Sequence, residues 1–211
     1  MQDRPKYYDI RARFWQRHFE AAQGYAAYLA ASDPAKAQKW HDLEAQLPVV
    51  TDAQRRHLTG HSEGGHGPLR GDTGRTMRVL VYSGVWCGDC VRQGPMLHGI
   101  AEACGPEVEL RLIDRDASAE LTDELRILGA MRVPMVVFLS EDWFEVGRFG
   151  DRLLTVYRAK AARELGPACD SGIVAPPADQ LAAEQDEWVG VFERMLLMLR
   201  LSPPLRERYG D

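Results

Sequence analysis

The fold of this chain is determined by the stretch Val79-Leu80-Val81-Tyr82-Ser83-Gly84-Val85-Trp86-Cys87-Gly88-Asp89-Cys90. Its first four residues form a continuous apolar run, which is typical of a strand that is covered on both faces. The pattern that follows predicts a helix from about Cys87 to Cys104. Two cysteines that are separated by two residues, after a strand and at the beginning of a helix, are expected in a redox-active dithiol.

The helix context predicts different roles for the two cysteines. A helix N-terminus supplies unpaired N–H groups and a partial positive charge, and both stabilise a thiolate. We therefore expect Cys87 to have a lowered pKa and to act as the nucleophile. Cys90 lies one turn further into the helix, where it is more buried and is placed to resolve a mixed disulfide with a substrate.

The rest of this region predicts a mixed α/β arrangement. Further strands are predicted at 108–113, 133–139 and 144–149. One helix is predicted to carry Leu121, Leu125 and Leu128 and to end at Gly129, and another is predicted to be capped by Asp151. The order β-α-β-α-β-β-α requires a mixed sheet with helices on both faces.

Several further motifs, taken in order, resemble the thioredoxin family over about residues 77–165. Trp86 precedes the cysteine pair, and Pro95 lies inside the following helix, where thioredoxins carry a kinking proline. Leu112-Ile113-Asp114 is similar to the end of the next thioredoxin strand, and Phe149-Gly150 to the end of the last one. Val133-Pro134 is similar to the cis-proline of the family, which lies against the active-site disulfide. The resemblance implies an α/β thioredoxin fold, a mixed central sheet flanked by helices, with helical N- and C-terminal extensions.

The resemblance also implies roles for the site residues. Trp86 would shield one side of the site, and Gly88 and Asp89 would shape it between the cysteines. Pro134, if cis, would expose the backbone of Val133 to pair with an extended substrate segment. The substrate-docking surface around Cys87 would consist of Arg132, Val133, Phe149 and Gly150.

Asp89 stands where the family usually has a proline. A carboxylate beside the Cys87 thiolate opposes it by charge repulsion, which would raise the thiol pKa and make the pair a stronger reductant. Alternatively, Asp89 only caps the helix and is screened by water. Both interpretations stay open at the level of the sequence.

The family's buried acid and its lysine partner are also replaced. Val81 stands at the position of the acid, and Leu110 at that of the lysine. The acid normally helps to remove the proton from the resolving thiol, so the sequence does not say how Cys90 loses its proton. Asp89 or water are candidates for that task.

The whole chain divides into five segments: a helical N-terminal extension at 1–60, a Gly/His-rich loop at 61–76, the thioredoxin-fold domain at 77–166, a linker at 167–177 and a C-terminal helix at 178–202. In the first segment, apolar positions from Ile10 to Leu29 follow one helix face, Asp33-Pro34 predicts the beginning of a second helix, and Thr51 with Gln54 fits a capping box. We expect both extensions to pack on the domain and enlarge its core.

Composition restricts the class of protein. The chain has 211 residues, 45% of them hydrophobic, which is enough for a globular core. With 31 acidic against 26 basic residues, no nucleic-acid or membrane partner is expected. The first residues lack the apolar run of a secretion signal, and four cysteines are too sparse for a disulfide-stapled secreted domain. These features predict a cytoplasmic protein.

The sequence thus predicts an enzyme, a thiol–disulfide oxidoreductase that reduces protein disulfides through Cys87 and Cys90. No cofactor is expected beyond this redox-active pair, since the electrons reside on the two sulfurs. The expected partners are protein disulfide substrates and an upstream reductant that the sequence does not identify. Cys104 and Cys169 are expected to be structural.

Two other functions compete with this one. Cys87 and Cys90 supply only half of a zinc site, and neither His61 nor His66 is accompanied by a further ligand cluster, so no metal is expected. The chain could instead be a thioredoxin-fold binding module or scaffold with little redox turnover, because a fold does not imply a function.

Overall fold

A four-stranded mixed sheet lies at the centre of the computed structural model, which describes residues 6–59, 75–164 and 178–210. Its strands are β1 Met77–Ser83, β2 Val108–Asp114, β3 Met135–Leu139 and β4 Glu145–Gly150, in the order β2-β1-β3-β4. β1 runs parallel to β2 and antiparallel to β3, and β4 runs antiparallel to β3. The mixed sheet is as predicted. His61, His66, Cys169, the linker 167–177 and all but the last two residues of the loop 61–76 lie outside the described residues.

Helices flank this sheet and form extensions at both ends. They are α1 Ala12–Ala21, α2 Tyr25–Ala30, α3 Pro34–Glu44, α4 Asp52–Thr59, α5 Gly88–Cys104, α6 Ala119–Glu124, α7 Leu154–Glu164, α8 Ala178–Leu201 and α9 Pro203–Tyr209. Nearly every residue of β1 and β3 is buried, which explains their continuous apolar character. Among the described helices, none is long and apolar enough to cross a membrane.

The N-terminal extension pairs with the edge strand β2 at one residue. The continuous helical face predicted from Ile10 to Leu29 is wrong in one respect, because the helix is interrupted between α1 and α2. There the backbone of Gln23 pairs with Leu112 of β2 through hydrogen bonds of 2.8 and 2.7 Å. The interruption releases backbone groups that satisfy the edge strand, which a continuous helix could not do.

Helix caps in the extension follow the sequence prediction. The carboxylate of Asp33 accepts hydrogen bonds from the amides of Ala35 and Lys36 at 3.0 and 3.1 Å. Thr51 and Gln54 form a reciprocal capping box, with hydrogen bonds of 2.8 and 3.2 Å. Both predicted caps are confirmed.

Helix α3 is held against α5 by Trp40. The Trp40 side chain is fully buried, and its indole nitrogen donates to the carbonyl oxygen of Val85 at 3.1 Å. Its ring fills the space beside Gly94, where a Cβ atom would lie 2.6 Å from Cη2 and closer still to Cζ3. The extension thereby holds the loop that leads into the cysteine pair.

The predicted end of the helix that contains Leu121 is wrong. The helix expected to end at Gly129 already ends at Glu124, because the chain turns at Leu128 and Gly129, which both have positive φ angles. Leu128 is consequently 95% exposed instead of lying on a buried helix face.

Asp151 does not cap α7, because another carboxylate occupies that position. Glu187 of α8 accepts hydrogen bonds from the amides of Leu154 and Thr155 at 2.6 and 3.0 Å. Asp151 accepts instead from Arg132, at 2.9 Å, and from the hydroxyl of Tyr157. The cap thus ties α8 to the domain.

Candidate functional site

The two cysteines of the Trp86–Cys90 motif lie at the beginning of α5, in different environments. Cys87 is the N-cap residue and is half-buried, whereas Cys90 is 1% exposed. Both are free thiols, and the Cys87 thiol donates to the carbonyl oxygen of Val133 at a sulfur–oxygen distance of 3.6 Å. The pair thus presents one accessible sulfur and one buried sulfur.

This arrangement separates the pKa values of the two thiols. A hydrogen bond from Cys90 lowers the pKa of Cys87 to about 7, assisted by the backbone amides of Cys90 and Asp89, while burial and the Asp89 carboxylate oppose the shift. Burial, followed by the interaction with Cys87, raises the pKa of Cys90 well above its usual value. At neutral pH, a large fraction of Cys87 is therefore the thiolate, which is the nucleophilic form, whereas Cys90 is a protonated thiol.

The Asp89 carboxylate is paired rather than free. Its Oδ2 atom lies 2.6 Å from Nη2 of Arg152, and both side chains are mostly buried. Arg152 also lies 3.6 Å from Asp151, so the residues that follow β4 are tied to the beginning of α5. Arg152 compensates much of the charge that Asp89 would otherwise present to Cys87.

Trp86 stands at the rim of the site. It is 45% exposed, and the guanidinium of Arg115 lies over its ring at 4.5 Å from the centroid. A Cβ at Gly84 would lie 2.8 Å from the same ring, so the turn before the cysteines needs a glycine. Gly88 is exposed, with no atom within 4 Å of where a Cβ would be.

The predicted docking residues lie at the ends of β3 and β4. The Val133–Pro134 peptide bond is cis, as the resemblance implies, and the Val133 carbonyl faces Cys87. Gly150 packs against this turn, since a Cβ there would lie 2.7 Å from the Pro134 carbonyl oxygen. Phe149 is turned to α8, where its ring makes an edge contact with Trp188 at a centroid distance of 5.1 Å. Of the four predicted docking residues, Val133 contacts Cys87, Gly150 packs against Pro134, Arg132 pairs with Asp151, and Phe149 packs on Trp188.

Several residues around the site are not evident from the sequence. Arg152, Asp151 and Arg115 form its charged surroundings, and Tyr28 of α2 and Ser83 of β1 lie beneath Cys90. No spacing rule connects them with the motif, because they reach the site from four separate parts of the chain: α2, the end of β1, the segment after β2 and the segment after β4. Only Ser83, close before the cysteines, was near enough in sequence to be suspected.

The positions of the family's acid and lysine are apolar in the structure as well. Val81 is 1% exposed and lies between Leu112 of β2 and Val136 of β3. Leu110 pairs with Val79 and is half-buried. Cys104 is the last residue of α5 and is buried, which raises its pKa to about 12. It lies apart from the motif, as expected.

We expect the alkylation rate of Cys87 to rise as the pH passes through about 7 and then to level off, because only the thiolate reacts. Mass spectrometry of the modified peptide after short exposures to iodoacetamide measures this rate. Cys90 serves as the internal control, since it should remain largely unmodified. A midpoint near the ordinary thiol value would contradict the lowered pKa.

Removal of the Arg152 charge should slow Cys87. In Arg152→Gln, the Asp89 charge is no longer compensated, so we expect alkylation below pH 7 to be about twofold to fivefold slower. Asp89→Asn should make the alkylation of Cys87 faster. The double variant Arg152→Gln/Asp89→Asn should not show the slower alkylation of Arg152→Gln, because the uncompensated carboxylate is gone. Equal rates in all three variants would show that water screens Asp89.

Comparison with known proteins agrees with this geometry. The family model described as Thioredoxin matches residues 70–163. A crystal structure of a protein of unknown function from Pseudomonas aeruginosa has 18% sequence identity and a TM-score of 0.59, over 86% of this chain and 95% of that chain. The crystal structure of an HIV epitope-scaffold has 21% identity and a TM-score of 0.51, over 92% and 97%. These two likenesses concern the fold. No curated protein matches the chain.

Proposed function

Because the Thioredoxin family model matches residues 70–163, which include the cysteine pair, we propose that this chain is a thiol–disulfide oxidoreductase that reduces protein disulfides through Cys87 and Cys90. The observation that carries the proposal is the asymmetry of the pair. An accessible sulfur with a pKa of about 7 precedes a buried sulfur whose pKa is raised. A nucleophile and a resolving thiol need these properties.

The reaction has two steps. The Cys87 thiolate attacks one sulfur of the substrate disulfide, a Cys87–substrate disulfide forms, and the other substrate sulfur leaves with the electron pair. Cys90 then attacks Cys87, the Cys87–Cys90 disulfide forms, and the second substrate thiol is released. Two electrons pass from the dithiol to the substrate, and no cofactor takes part.

The surroundings of Cys87 support a protein substrate. In this proposal the backbone at the cis Val133–Pro134 turn pairs with an extended substrate segment; Arg132 precedes this turn and Gly150 packs against it. Arg115 and Trp86 border the opposite side. In this proposal the partners are protein disulfides and an upstream protein or small thiol that reduces the Cys87–Cys90 disulfide, rather than a nucleic acid or a membrane.

We further propose that the protein works in the cytoplasm as a reductant, because the cytoplasm is a reducing compartment that keeps dithiols reduced. Its test is the reduction potential of the Cys87–Cys90 pair, measured by equilibration with glutathione and dithiothreitol. A value near about −270 mV supports a reductant, whereas about −120 to −180 mV would indicate an oxidant or isomerase and contradict the cytoplasmic assignment.

Turnover separates this function from a binding module. With dithiothreitol as the recycling reductant, the protein should accelerate the reduction of a disulfide-bonded protein such as insulin. If no Cys87–Cys90 disulfide forms at any potential and no acceleration is seen, the redox proposal fails and the scaffold function takes its place.

A further inference from the structure

Two buried hydroxyl groups lie beneath the resolving cysteine. Ser83 ends β1 and is fully buried, and Tyr28, from α2 of the N-terminal extension, is 4% exposed. The Tyr28 hydroxyl is adjacent to that of Ser83, and the Ser83 hydroxyl is adjacent to Cys90. The hydroxyl groups of Tyr28 and Ser83 thus lie in succession next to the buried Cys90 sulfur.

Neither hydroxyl makes a hydrogen bond of normal geometry in the described part of the chain, and the polar groups beside them are each other, Cys90 and the backbone of Val85. A buried hydroxyl without a partner costs about 1–3 kcal/mol, so two of them side by side need an explanation. A thiol is a weak acceptor, whereas a thiolate is a strong one. The Ser83 hydroxyl therefore gains a strong acceptor when Cys90 ionises, and the Ser83 oxygen can then accept from Tyr28.

Tyr28 is held firmly in this position. Its ring lies 5.9 Å from that of Trp40, whose indole donates to the Val85 carbonyl oxygen, and the hydroxyl of Ser32 donates to the Tyr28 carbonyl oxygen at 2.7 Å. Gln23, two residues before α2 begins, exchanges backbone hydrogen bonds with Leu112 and so fixes the start of α2 to β2. The side chain is therefore preorganised toward the site.

We propose that Ser83 and Tyr28 form a chain of hydrogen-bond donors that stabilises the Cys90 thiolate while it resolves the mixed disulfide, an inference that rests on the proposed function. Ser83 donates to the Cys90 sulfur, and Tyr28 donates to Ser83 as a positioning residue. Ser83 and Tyr28 supply hydroxyl groups near the place where thioredoxins carry a buried carboxylate. The residue at that position here, Val81, has no polar group and cannot donate or accept a proton.

The step balances without a further reactant. Cys90 loses its proton, its sulfur forms a bond with the Cys87 sulfur, and the Cys87–substrate bond breaks. The substrate sulfur leaves with the electron pair, and the proton that Cys90 gave up ends on it. Tyr28 does not take this proton, because burial raises its phenol pKa well above the usual value.

The charged and titratable groups near these two hydroxyls come from two places, the beginning of α5 and the end of β2. Cys87 and Cys90 lie on α5, and Asp114 faces Tyr28 from the end of β2, where its Cα is in register with Ser83. Asp114 opposes ionisation of Tyr28, which keeps the phenol a donor. In the mixed disulfide the Cys87 sulfur is bonded and uncharged, so its repulsion of the Cys90 thiolate is removed.

The test uses one equivalent of dithiobis-nitrobenzoate, in a Cys169→Ser background so that the coloured thiolate reports the pair alone. Attack by Cys87 releases a first nitrothiobenzoate, and resolution by Cys90 releases the second. In Ser83→Ala and Tyr28→Phe we expect an unchanged first phase and a second phase about threefold to tenfold slower near neutral pH. The deficit should shrink as the pH rises, because Cys90 then ionises without help.

Tyr25→Phe is the matched control. Tyr25 lies on the same helix and is similarly buried, and its hydroxyl also lacks a normal hydrogen bond, but it faces Glu44 and its ring stacks on His98. Its second phase should match that of the unsubstituted protein. The proposal is overturned if Ser83→Ala and Tyr28→Phe retain the full second-phase rate, or if all three variants are slowed equally at every pH. If the unsubstituted protein releases only one thiolate, the proposed function itself fails.

Discussion

Replacement of Cys87 by serine should abolish disulfide reduction, with a loss of about a thousandfold or more in rate. The reason is that a serine hydroxyl does not ionise near neutral pH, whereas the Cys87 thiol has a pKa of about 7. The Cys90 sulfur cannot replace it, because it is buried and its pKa is raised well above the usual value. The insulin-reduction assay with dithiothreitol recycling measures this loss.

Cys90→Ser distinguishes a nucleophile from a merely structural cysteine. This variant should still attack through Cys87 and should accumulate mixed disulfides with its protein substrates, which migrate as reducible adducts in gels. Cys104→Ser is the control, since Cys104 lies at the far end of α5 and should leave turnover unchanged. Adducts that form equally in Cys87→Ser would contradict the assigned roles.

A methyl group added at Gly94 should destabilise the protein by about 2–3 kcal/mol or more. The new Cβ would lie 2.6 Å from Cη2 of Trp40, a fully buried ring that cannot move without disturbing α3 and its hydrogen bond to Val85. For a chain of this size, such a loss corresponds to a decrease in Tm of about 4–12 °C. Thermal unfolding of Gly94→Ala, followed by circular dichroism, measures it.

Gly99→Ala supplies a matched control on the same helix. No atom lies within 4 Å of the position of its Cβ, so the substitution meets open space. Alanine is favoured over glycine inside a helix by up to about 1 kcal/mol, and Gly99→Ala should therefore leave Tm unchanged or raise it. If both alanine variants shift Tm alike, the close approach of Trp40 is not the cause.

Local patterns were sufficient for several elements of the fold. The apolar run of β1, the cysteines at the beginning of α5 and the caps at Asp33 and Thr51 each depend on residues within one turn or one strand of each other. The C-terminal helix, which is predicted at 178–202, extends over Ala178–Leu201, because helical periodicity is also a local property.

The contacts around the site depend on distance in space instead. Glu187 caps α7 although Asp151 is nearer in sequence, since the amides accept whichever carboxylate the packing of α8 brings to them. Likewise, a pairing of Asp89 with Arg152 has no characteristic spacing that a sequence pattern could reveal.

From its sequence alone, this protein resembles the thioredoxin family over about residues 77–165, and its dithiol at the beginning of a helix is predicted because strand and helix patterns are local properties. What lies around the dithiol was decided by the tertiary structure. The placement of Tyr28 and Ser83 beneath Cys90, and of Trp40 against Gly94, arises when an extension packs on a domain. Such contacts join residues far apart in the chain, and their geometry exists only after the core has formed.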